Sequence, residues 1–308
     1  MRPSTGVAAL VAGLVAVASA CGAGSDGAEG AAGRGEVTVL ASFYPLAEAA
    51  ERVGGDAVSV ENLTPAGSEP HDLELTPTQV EAIGGADVVV VMGRGFQPGV
   101  EAVAEEREGA TVEVLSALEV GEGRVADEDH EDEGGLDPHV WLDPTKMAQI
   151  VDAVASALTR ADPDRAEAFR TNAEAYQRQL SELDAAYEAS LGSCDRDLLV
   201  VAHDAFGWLA ERYGLQQEPI AGLSPEQEPD PQRLAELVAV VEREGVTTVF
   251  TETLVAPAVA ETLAREAGVD TAVLDPLEGL TEERLADGET YLSVMEANLA
   301  KLEDALGC

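Results

Sequence analysis

The stretch DPDRAEAFRTNAEAYQRQLSELDAAYEASLG, residues 162–192, decides the fold. Asp162 and Pro163 are typical of a helix start, because a carboxylate can cap free N–H groups and proline suits the first helical position. Large apolar and aromatic side chains then recur at spacings of seven, four, three, four and four residues, which places them on one helix face. They are Phe169, Tyr176, Leu180, Leu183, Tyr187 and Leu191. Gly192 ends the pattern, as is common just past a helix terminus.

A single helix over 163–191 would be roughly 44 Å long at 1.5 Å per residue, enough to run along a body of two lobes. A helical hairpin with a hidden turn is the alternative, but the stretch has no glycine or proline between Pro163 and Gly192. We therefore expect a stiff connecting helix at 163–192.

Apolar strand-like runs alternate with helical segments on both sides of this helix, which is the pattern of parallel sheets covered by helices. The predicted strands are 37–41, 58–63, 88–92 and 112–115 before it, and 198–202, 246–251 and 271–274 after it. The predicted helices are 45–53, 78–84, 145–158, 231–244, 256–267 and 291–306. The predicted fold class is therefore α/β, with an N-terminal lobe at 36–162 and a C-terminal lobe at 193–308.

The first 20 residues predict a secretory signal peptide, because Arg2 precedes an apolar run at 7–20 that is too short to span a bilayer. Ala-Ser-Ala-Cys at 18–21 resembles a bacterial lipobox, so we expect Cys21 to carry a lipid and 21–35 to be a flexible tether. The protein would then be extracytoplasmic, anchored to the outer face of the cell membrane. Ordinary cleavage that leaves Cys21 as a free thiol is the alternative.

The other cysteines of the chain are Cys194 and Cys308. In an exported protein two cysteines permit one disulfide, and the chain-entropy model gives about 4 to 5 kcal/mol for closing a loop of this size. The bond would hold the last predicted helix in place. A pair of thiolate metal ligands is the alternative, but neither cysteine lies in a CxxC motif or near a histidine.

The chain is strongly acidic, with 59 Asp and Glu against 18 Lys and Arg and a formal net charge of −41. This charge opposes binding to nucleic acid and favours the attraction of cations. One acidic run, 127–133, contains His130 and no apolar residue, and it lies inside a glycine-bounded segment at 121–135. We expect this segment to be a solvated loop.

Three of the four histidines lie far apart in short segments with acidic neighbours, and two of them directly follow a proline: His71, His139 and His203. Asp275 stands in a similar setting, just before Pro276. A lone histidine is more often a structural residue than a ligand, but imidazole and carboxylate are donors that Zn²⁺ takes in tetrahedral sites. The four residues are therefore candidate ligands of one metal ion.

The positions of these candidates support a shared site, because ligands of open α/β sheets bind outside the carboxyl ends of the strands. His203 and Asp275 come directly after predicted strands of the second half. His71 lies in the loop after the second predicted strand, and His139 leads into a predicted helix. We expect two ligands from each lobe to meet in the cleft between them.

Acidic neighbours are expected to orient the histidines or to stand near the metal without touching it. The candidates are Asp72, Asp143, Asp204 and Glu252. Glu252 follows a predicted strand and is the substitute fourth ligand if Asp275 points elsewhere.

Four segments of the chain resemble, in this order, the metal-binding solute receptors of bacterial ABC importers, the zinc and manganese uptake family. They are 64–77, 137–144, 203–213 and 273–279. The resemblance covers essentially the whole mature chain. It implies two α/β lobes joined by one rigid helix, with a single divalent metal bound in the cleft and passed to a membrane permease that a cytoplasmic ATPase drives.

The resemblance also implies a ligand set, since the family's ligand positions fall on His71, His139, His203 and Asp275. Manganese receptors of the family resemble one another in carrying a carboxylate at the third position, where this chain has His203. An additional imidazole also favours Zn²⁺ over Mn²⁺. The loop with His130 resembles the His-rich loop of zinc receptors and is either a weak metal collector or only a solvated loop.

The alternatives are a manganese or mixed divalent-metal receptor, a zinc hydrolase and a surface adhesin. A hydrolase could use the three histidines with Glu252 as a base, but Asp275 would close the open coordination position that it needs. The chain has no HExxH, G-x-S-x-G, Walker A or dinucleotide motif, so we expect no enzyme. Nothing in the sequence supports an adhesive surface. We expect a monomer that binds no nucleic acid.

Overall fold

Two parallel sheets organise the protein, in a computed structural model that describes residues 35–120, 136–225 and 229–308. The strand orders are β2-β1-β3-β4 in the N-terminal lobe and β6-β5-β7-β8 in the C-terminal lobe. All neighbouring strands run parallel. The strands are β1 Val37–Ala41, β2 Val58–Asn62, β3 Val88–Val91, β4 Ala110–Glu113, β5 Leu198–Val201, β6 Gln216–Pro219, β7 Thr248–Thr251 and β8 Asp270–Val273.

Helices cover these sheets and connect their strands. They are α1 Tyr44–Gly54, α2 Pro77–Gly85, α3 Pro98–Glu105, α4 Val114–Ala117, α5 Pro144–Ala161, α6 Ala166–Leu191, α7 Gly207–Tyr213, α8 Pro231–Glu244, α9 Ala258–Ala267, α10 Glu282–Ala286 and α11 Tyr291–Leu306. Short 3-10 turns lie at Gly55–Ala57, Val140–Leu142 and Pro163–Arg165. Both lobes belong to one compact unit, Gly35–Cys308.

The long helix α6 links the lobes, and the predicted fold class is confirmed. The six side chains that predicted it are all buried. They face α1, α5 and α11, against which α6 packs. The α-helix begins three residues later than expected because Asp162 caps a 3-10 turn, accepting the Asp164 N–H at 3.2 Å. Its 26 residues still give a rigid connector of about 39 Å.

The short helices α3, α4, α7 and α10 were not among the predicted helices, and two strands also differ from the sequence expectation. Edge strand β6 was not predicted, because its polar sequence ends in Pro219 and pairs only with β5. In the first half, the predicted strand 112–115 is wrong at its end: β4 stops at Glu113, and Val114 and Leu115 are buried in α4. A short apolar run fits a buried strand and a buried helix equally well.

The predicted disulfide between Cys194 and Cys308 is confirmed, with the two Cα atoms 4.0 Å apart. It ties Cys308, two residues after α11, to the segment that leads into β5. The Arg196 N–H donates to the Leu306 carbonyl at 3.1 Å beside it, so the end of α11 is held by both bonds.

Some predictions fall outside the described residues, namely the signal peptide at 1–20, the lipidated Cys21 with its tether up to residue 34, and the acidic loop 121–135 with His130. In the described ranges, no helix combines the length and the apolar character needed to cross a membrane.

Replacing both Cys194 and Cys308 by alanine should lower the free energy of unfolding by about 2 to 5 kcal/mol, because the unfolded chain regains the freedom of a long loop. Urea denaturation of the variant and of the unreduced parent measures the loss. Metal affinity is the control and should not change, since neither cysteine belongs to the histidine cluster. An unchanged urea midpoint would show that the backbone bond beside the disulfide already fixes the end of α11.

Candidate metal site

His203 stands at the carboxyl edge of the C-terminal sheet, two residues after β5. Its Nδ1 lies 2.6 Å from Oε1 of Glu252, and its backbone N–H donates to the same oxygen at 3.1 Å. Glu252 directly follows β7, the neighbour of β5 in the sheet. An imidazole that donates Nδ1–H to a carboxylate presents the lone pair of Nε2 in a fixed direction. Two adjacent strand ends thus aim Nε2 of His203.

His139 is fixed in the same manner from the N-terminal lobe. Its Nδ1 lies 2.8 Å from Oδ1 of Asp137, and its backbone N–H donates to that oxygen at 2.9 Å. The segment continues into the 3-10 turn Val140–Leu142, in which Trp141 is fully buried. The His139 side chain is also fully buried.

The two tryptophans of the chain connect the lobes around this segment. Trp141 donates its indole N–H to the carbonyl of Pro276 at 2.8 Å, and Trp208 donates to the carbonyl of Asp137 at 3.0 Å. Each bond joins a residue of one half to a residue of the other. The relative position of the two sheet edges at the site is therefore set by directional bonds as well as by packing.

His71 lies in the loop between β2 and α2 rather than at a strand end. Its backbone N–H donates to both carboxylate oxygens of Glu69 at 3.1 Å, and Gln97 donates its amide to the carbonyl of Pro70 at 3.0 Å. The ring packs edge-on against Phe96, with 4.6 Å between centroids. The His71 side chain is 10% exposed, whereas those of His139 and His203 are fully buried.

Glu278 joins the three histidines. Its Oε1 lies 3.0 Å from Nε2 of His71, 3.3 Å from Nε2 of His139 and 3.2 Å from Nε2 of His203. Donor atoms of all four residues lie within 4.8 Å of one another. Its Oε2 is buried and has no hydrogen-bond partner among the described residues.

Four of the six distances between donor atoms fit a four-coordinate ion. Zinc bonds of 2.0–2.1 Å in a tetrahedron place neighbouring donor atoms about 3.3 Å apart. The three distances from Glu278 are 3.0 to 3.3 Å, and Nε2 of His139 and Nε2 of His203 are 3.4 Å apart. Three nitrogen donors and one oxygen donor form a set that Zn²⁺ accepts.

The electrostatics of the cluster show what a cation would replace. Burial acts to raise the pKa of Glu278, but the charge on His203 and hydrogen bonds from the three imidazoles hold that pKa well below its usual value. Burial acts to lower the pKa of His203, but the charges of Glu252 and Glu278 raise it well above its usual value. Without an ion, protons on imidazole therefore balance the buried carboxylates. A bound metal ion must displace these protons.

The structure corrects the predicted fourth member of the cluster. Asp275 does not reach the histidines, because its Oδ2 pairs with Nη1 of Arg284 at 2.6 Å and its Oδ1 accepts the Leu277 N–H at 2.8 Å. Glu278, three residues later, takes its place. Sequence reasoning selected the first carboxylate after the strand. Glu278 lay within the segment that carried the family resemblance, but no spacing rule singled it out.

The predicted acidic neighbours have different roles. Glu252 bonds to Nδ1 of His203, and the expectation that it would be the substitute fourth ligand is wrong, because Glu278 takes that position in the donor cluster. Asp143 caps α5 by accepting the Thr145 N–H at 2.8 Å.

The other two acidic neighbours also lie outside the cluster. Asp204 accepts a hydrogen bond from the amide of Gln217, and Asp72 is exposed. The orienting role of Asp137 was missed, although its position two residues before His139 allows its carboxylate to turn back onto that residue.

The sequence matches the model of the family described as zinc-uptake complex component A, periplasmic (ZnuA), over residues 39–305. The chain belongs to this ZnuA family. The resemblance to metal-binding solute receptors that the four sequence segments indicated is confirmed.

Two curated relatives illustrate the similarity. The zinc-binding lipoprotein AdcA of Streptococcus pneumoniae is 39% identical over 278 residues, which cover 87% of this chain and 56% of AdcA. The chain thus spans little more than half the length of that relative. The high-affinity zinc uptake system protein ZnuA of Bacillus subtilis is 32% identical over 308 residues. The match covers 96% of this chain and 96% of that protein.

Solved structures agree with the fold. The Zn(II)-bound ZnuA-like domain of S. pneumoniae AdcA has a TM-score of 0.75 at 36% identity, covering 89% of this chain and all of that domain. The laminin-binding protein Lmb of Streptococcus agalactiae, described as bifunctional with adhesin and metal transporting activity, has a TM-score of 0.77 at 28% identity, covering 88% of this chain and 99% of Lmb.

Glu252→Gln and Asp137→Asn should each weaken Zn²⁺ binding by roughly 10- to 100-fold, because the imidazole loses the charged acceptor that orients it and raises its basicity. Competition with a chromophoric chelator measures the affinity. Asp72→Asn is the matched control, since it removes an exposed carboxylate next to a cluster histidine. Equal affinities for all three variants and the parent would mean that the two buried carboxylates only support the fold.

Proposed function

We propose that this protein is an extracytoplasmic receptor that captures Zn²⁺ and delivers it to the membrane permease of an ABC importer driven by a cytoplasmic ATPase. The observation that carries the proposal is the group of His71, His139, His203 and Glu278, in which Oε1 of Glu278 lies 3.0 to 3.3 Å from all three imidazoles. Membership of the ZnuA family supports the transport role. Relatives named zinc-binding lipoprotein and zinc uptake protein support zinc as the cargo.

The donor set favours zinc over manganese. Mn²⁺ prefers oxygen donors and higher coordination, whereas three imidazoles and one carboxylate suit four-coordinate Zn²⁺. Two further carboxylates, those of Asp137 and Glu252, lie close by but face Nδ1 atoms on the outer side of the rings. These two carboxylates orient the imidazole rings of His139 and His203. The cluster therefore offers a cation one carboxylate, that of Glu278.

The same geometry argues against a hydrolase. A catalytic zinc keeps one coordination position open for water and needs a nearby base. Here Glu278 is the fourth donor, and the carboxylate proposed as base, Glu252, is bonded to His203. The relatives named above are binding and transport proteins. An adhesin function is supported by resemblance to laminin-binding proteins such as Lmb and by no feature of the site.

Capture is expected to proceed from the His71 side. His71 is the most accessible of the four residues and lies on a loop, whereas His139 and His203 are fully buried and held by carboxylates. The stiff helix α6 opposes a wide hinge motion of the lobes. We therefore infer that the His71 loop moves while the other three donors remain in place, and that one chain completes the site as a monomer.

Residues 22–308, stripped with a chelator, should bind one Zn²⁺ per chain that excess Mn²⁺ does not displace. His203→Ala and Glu278→Ala should each weaken Zn²⁺ binding by more than about 100-fold, beyond the loss expected for an orienting carboxylate. Elemental analysis and chelator competition provide the two readings, with Asp72→Asn as the control. Preferential binding of Mn²⁺, or two or more equally tight zinc ions, would contradict the proposal.

In cells, disrupting the gene should stop growth in chelated medium, and added zinc should restore it. The unaltered gene should also restore growth, but a copy carrying His71→Ala, His139→Ala and His203→Ala should not. Cys21→Ala tests the proposed lipid anchor independently, since it should move the protein from the membrane fraction to the medium or periplasm. Rescue by manganese alone would indicate a different cargo.

A further inference from the structure

Asp275 is buried and held through its backbone by one side chain of α11. The Asn298 Oδ1 accepts the Asp275 N–H at 2.9 Å, and the Asn298 Nδ2 donates to the Asp275 carbonyl at 2.7 Å. Both residues are buried. Because the amide satisfies both backbone groups at once, it fixes the chain just after β8 against α11.

The carboxylate of Asp275 is fully engaged as well. Its Oδ1 accepts the Leu277 N–H at 2.8 Å, which closes a tight turn, and its Oδ2 accepts from Nη1 of Arg284 at 2.6 Å. Arg284 lies on α10 and also donates its Nε–H to Glu289 at 2.8 Å. A charge-assisted bond of this kind is stronger than a neutral one. The carboxylate therefore joins the chain before Glu278 to the helix that follows it.

The turn at Leu277 is strained. Leu277 is fully buried and has a φ of 57°, in the region that favours glycine. A side chain with a Cβ atom is destabilised in this conformation, which persists only where surrounding bonds enforce it. The next residue is Glu278, so the turn decides where that carboxylate goes.

Bonds from the N-terminal lobe hold the same turn on either side of Glu278. The indole N–H of Trp141 donates to the Pro276 carbonyl at 2.8 Å, and the Gly67 N–H donates to the Leu280 carbonyl at 2.9 Å. Gly279 is packed closely enough that an added Cβ would lie 3.4 Å from both Leu254 Cδ1 and Ser68 O. The segment 275–280 is thus held from several directions at once.

We propose that Asp275 is a positioning residue: through Arg284 and the strained turn at Leu277, it places Oε1 of Glu278 at a common distance from the three imidazoles. This inference rests on the proposed function and deepens it. A carboxylate held in one position closes a four-donor cage. A loosely held carboxylate could shift, chelate through both oxygens or admit water, which suits ions of higher coordination number. Asp275 thereby contributes to the preference for zinc without touching the metal.

The first experiment compares wild type with Asp275→Asn, which keeps an acceptor for the Leu277 N–H and removes the ion pair with Arg284. We expect Zn²⁺ affinity to fall by about 10- to 100-fold, the range for residues that orient ligands. Co²⁺ bound to wild type should give the intense visible absorption of a four-coordinate ion, and the variant should give a weaker spectrum. Arg284→Gln is the second variant, and it should shift the spectrum in the same direction.

A double-mutant cycle separates positioning from a general effect of charge. If Asp275 acts through Glu278, then Asp275→Asn should cost little further Zn²⁺ affinity in a Glu278→Ala background. If Asp275 merely attracted cations, Asp275→Asn would lower Zn²⁺ affinity by the same factor in both backgrounds. That result would overturn the proposal. Glu218→Gln is the matched control, because it breaks an ion pair with Arg233 in the same lobe that does not involve the cluster.

Two failures can be told apart. A wild-type protein without a tight zinc site would overturn the proposed function together with this inference. The positioning role alone would be overturned if the wild type bound zinc tightly and both Asp275→Asn and Arg284→Gln matched it. A match means a Zn²⁺ affinity within twofold of wild type and the same Co²⁺ spectrum. Urea denaturation of each metal-free variant confirms that a folded protein was titrated.

Discussion

One carboxylate oxygen shared among three imidazoles is the interaction on which the site depends. Oε1 of Glu278 lies 3.0 to 3.3 Å from three Nε2 atoms that come from both lobes. Removing such charged groups from water costs several kcal/mol per ion unless good geometry compensates. Here the compensation comes from Asp137 and Glu252, which each hold the far side of a histidine ring. The buried carboxylates require positive charge at their centre, which protons supply without metal and a divalent cation supplies with it.

The fold serves this interaction by bringing two sheet edges together. In parallel sheets the strands end at one edge, so β5, β7 and β8 deliver His203, Glu252 and the turn with Glu278 to one place. Helix α6 sets the separation of the lobes, and the indole bonds of Trp141 and Trp208 fix their edges at the cluster. A rigid frame of this kind favours selectivity through fixed donor positions, whereas a flexible site could adapt to ions of different size.

The sequence predicted the parts of this arrangement that follow from periodicity and strand ends. The single-face pattern of α6 and the position of His203 follow from regular elements, whereas His71 and His139 were found because each follows a proline in a polar segment. The sequence predicted Asp275 as the fourth ligand where the structure has Glu278. Their roles depend on a buried leucine with positive φ, a conformation that no local pattern indicates. Edge strand β6 was missed because its stability comes from pairing with β5 and not from apolar residues of its own. In both cases, tertiary contacts decide what the local sequence leaves open.

The four donor residues are not held equally firmly, and the least firmly held one marks the side from which an ion would enter or leave. His139 and His203 are fixed at their rings by carboxylates, and Glu278 by a braced turn. His71 is held through its backbone by Glu69, on a loop whose Gly67 N–H bonds to Leu280 of the opposite lobe. Within its own lobe the loop is also held by the bond from the Gln97 amide to the Pro70 carbonyl and by the packing of His71 on Phe96. An ion that kept only three of its four donors would be bound more weakly, so a rearrangement that loosened these contacts would favour release without unfolding either lobe.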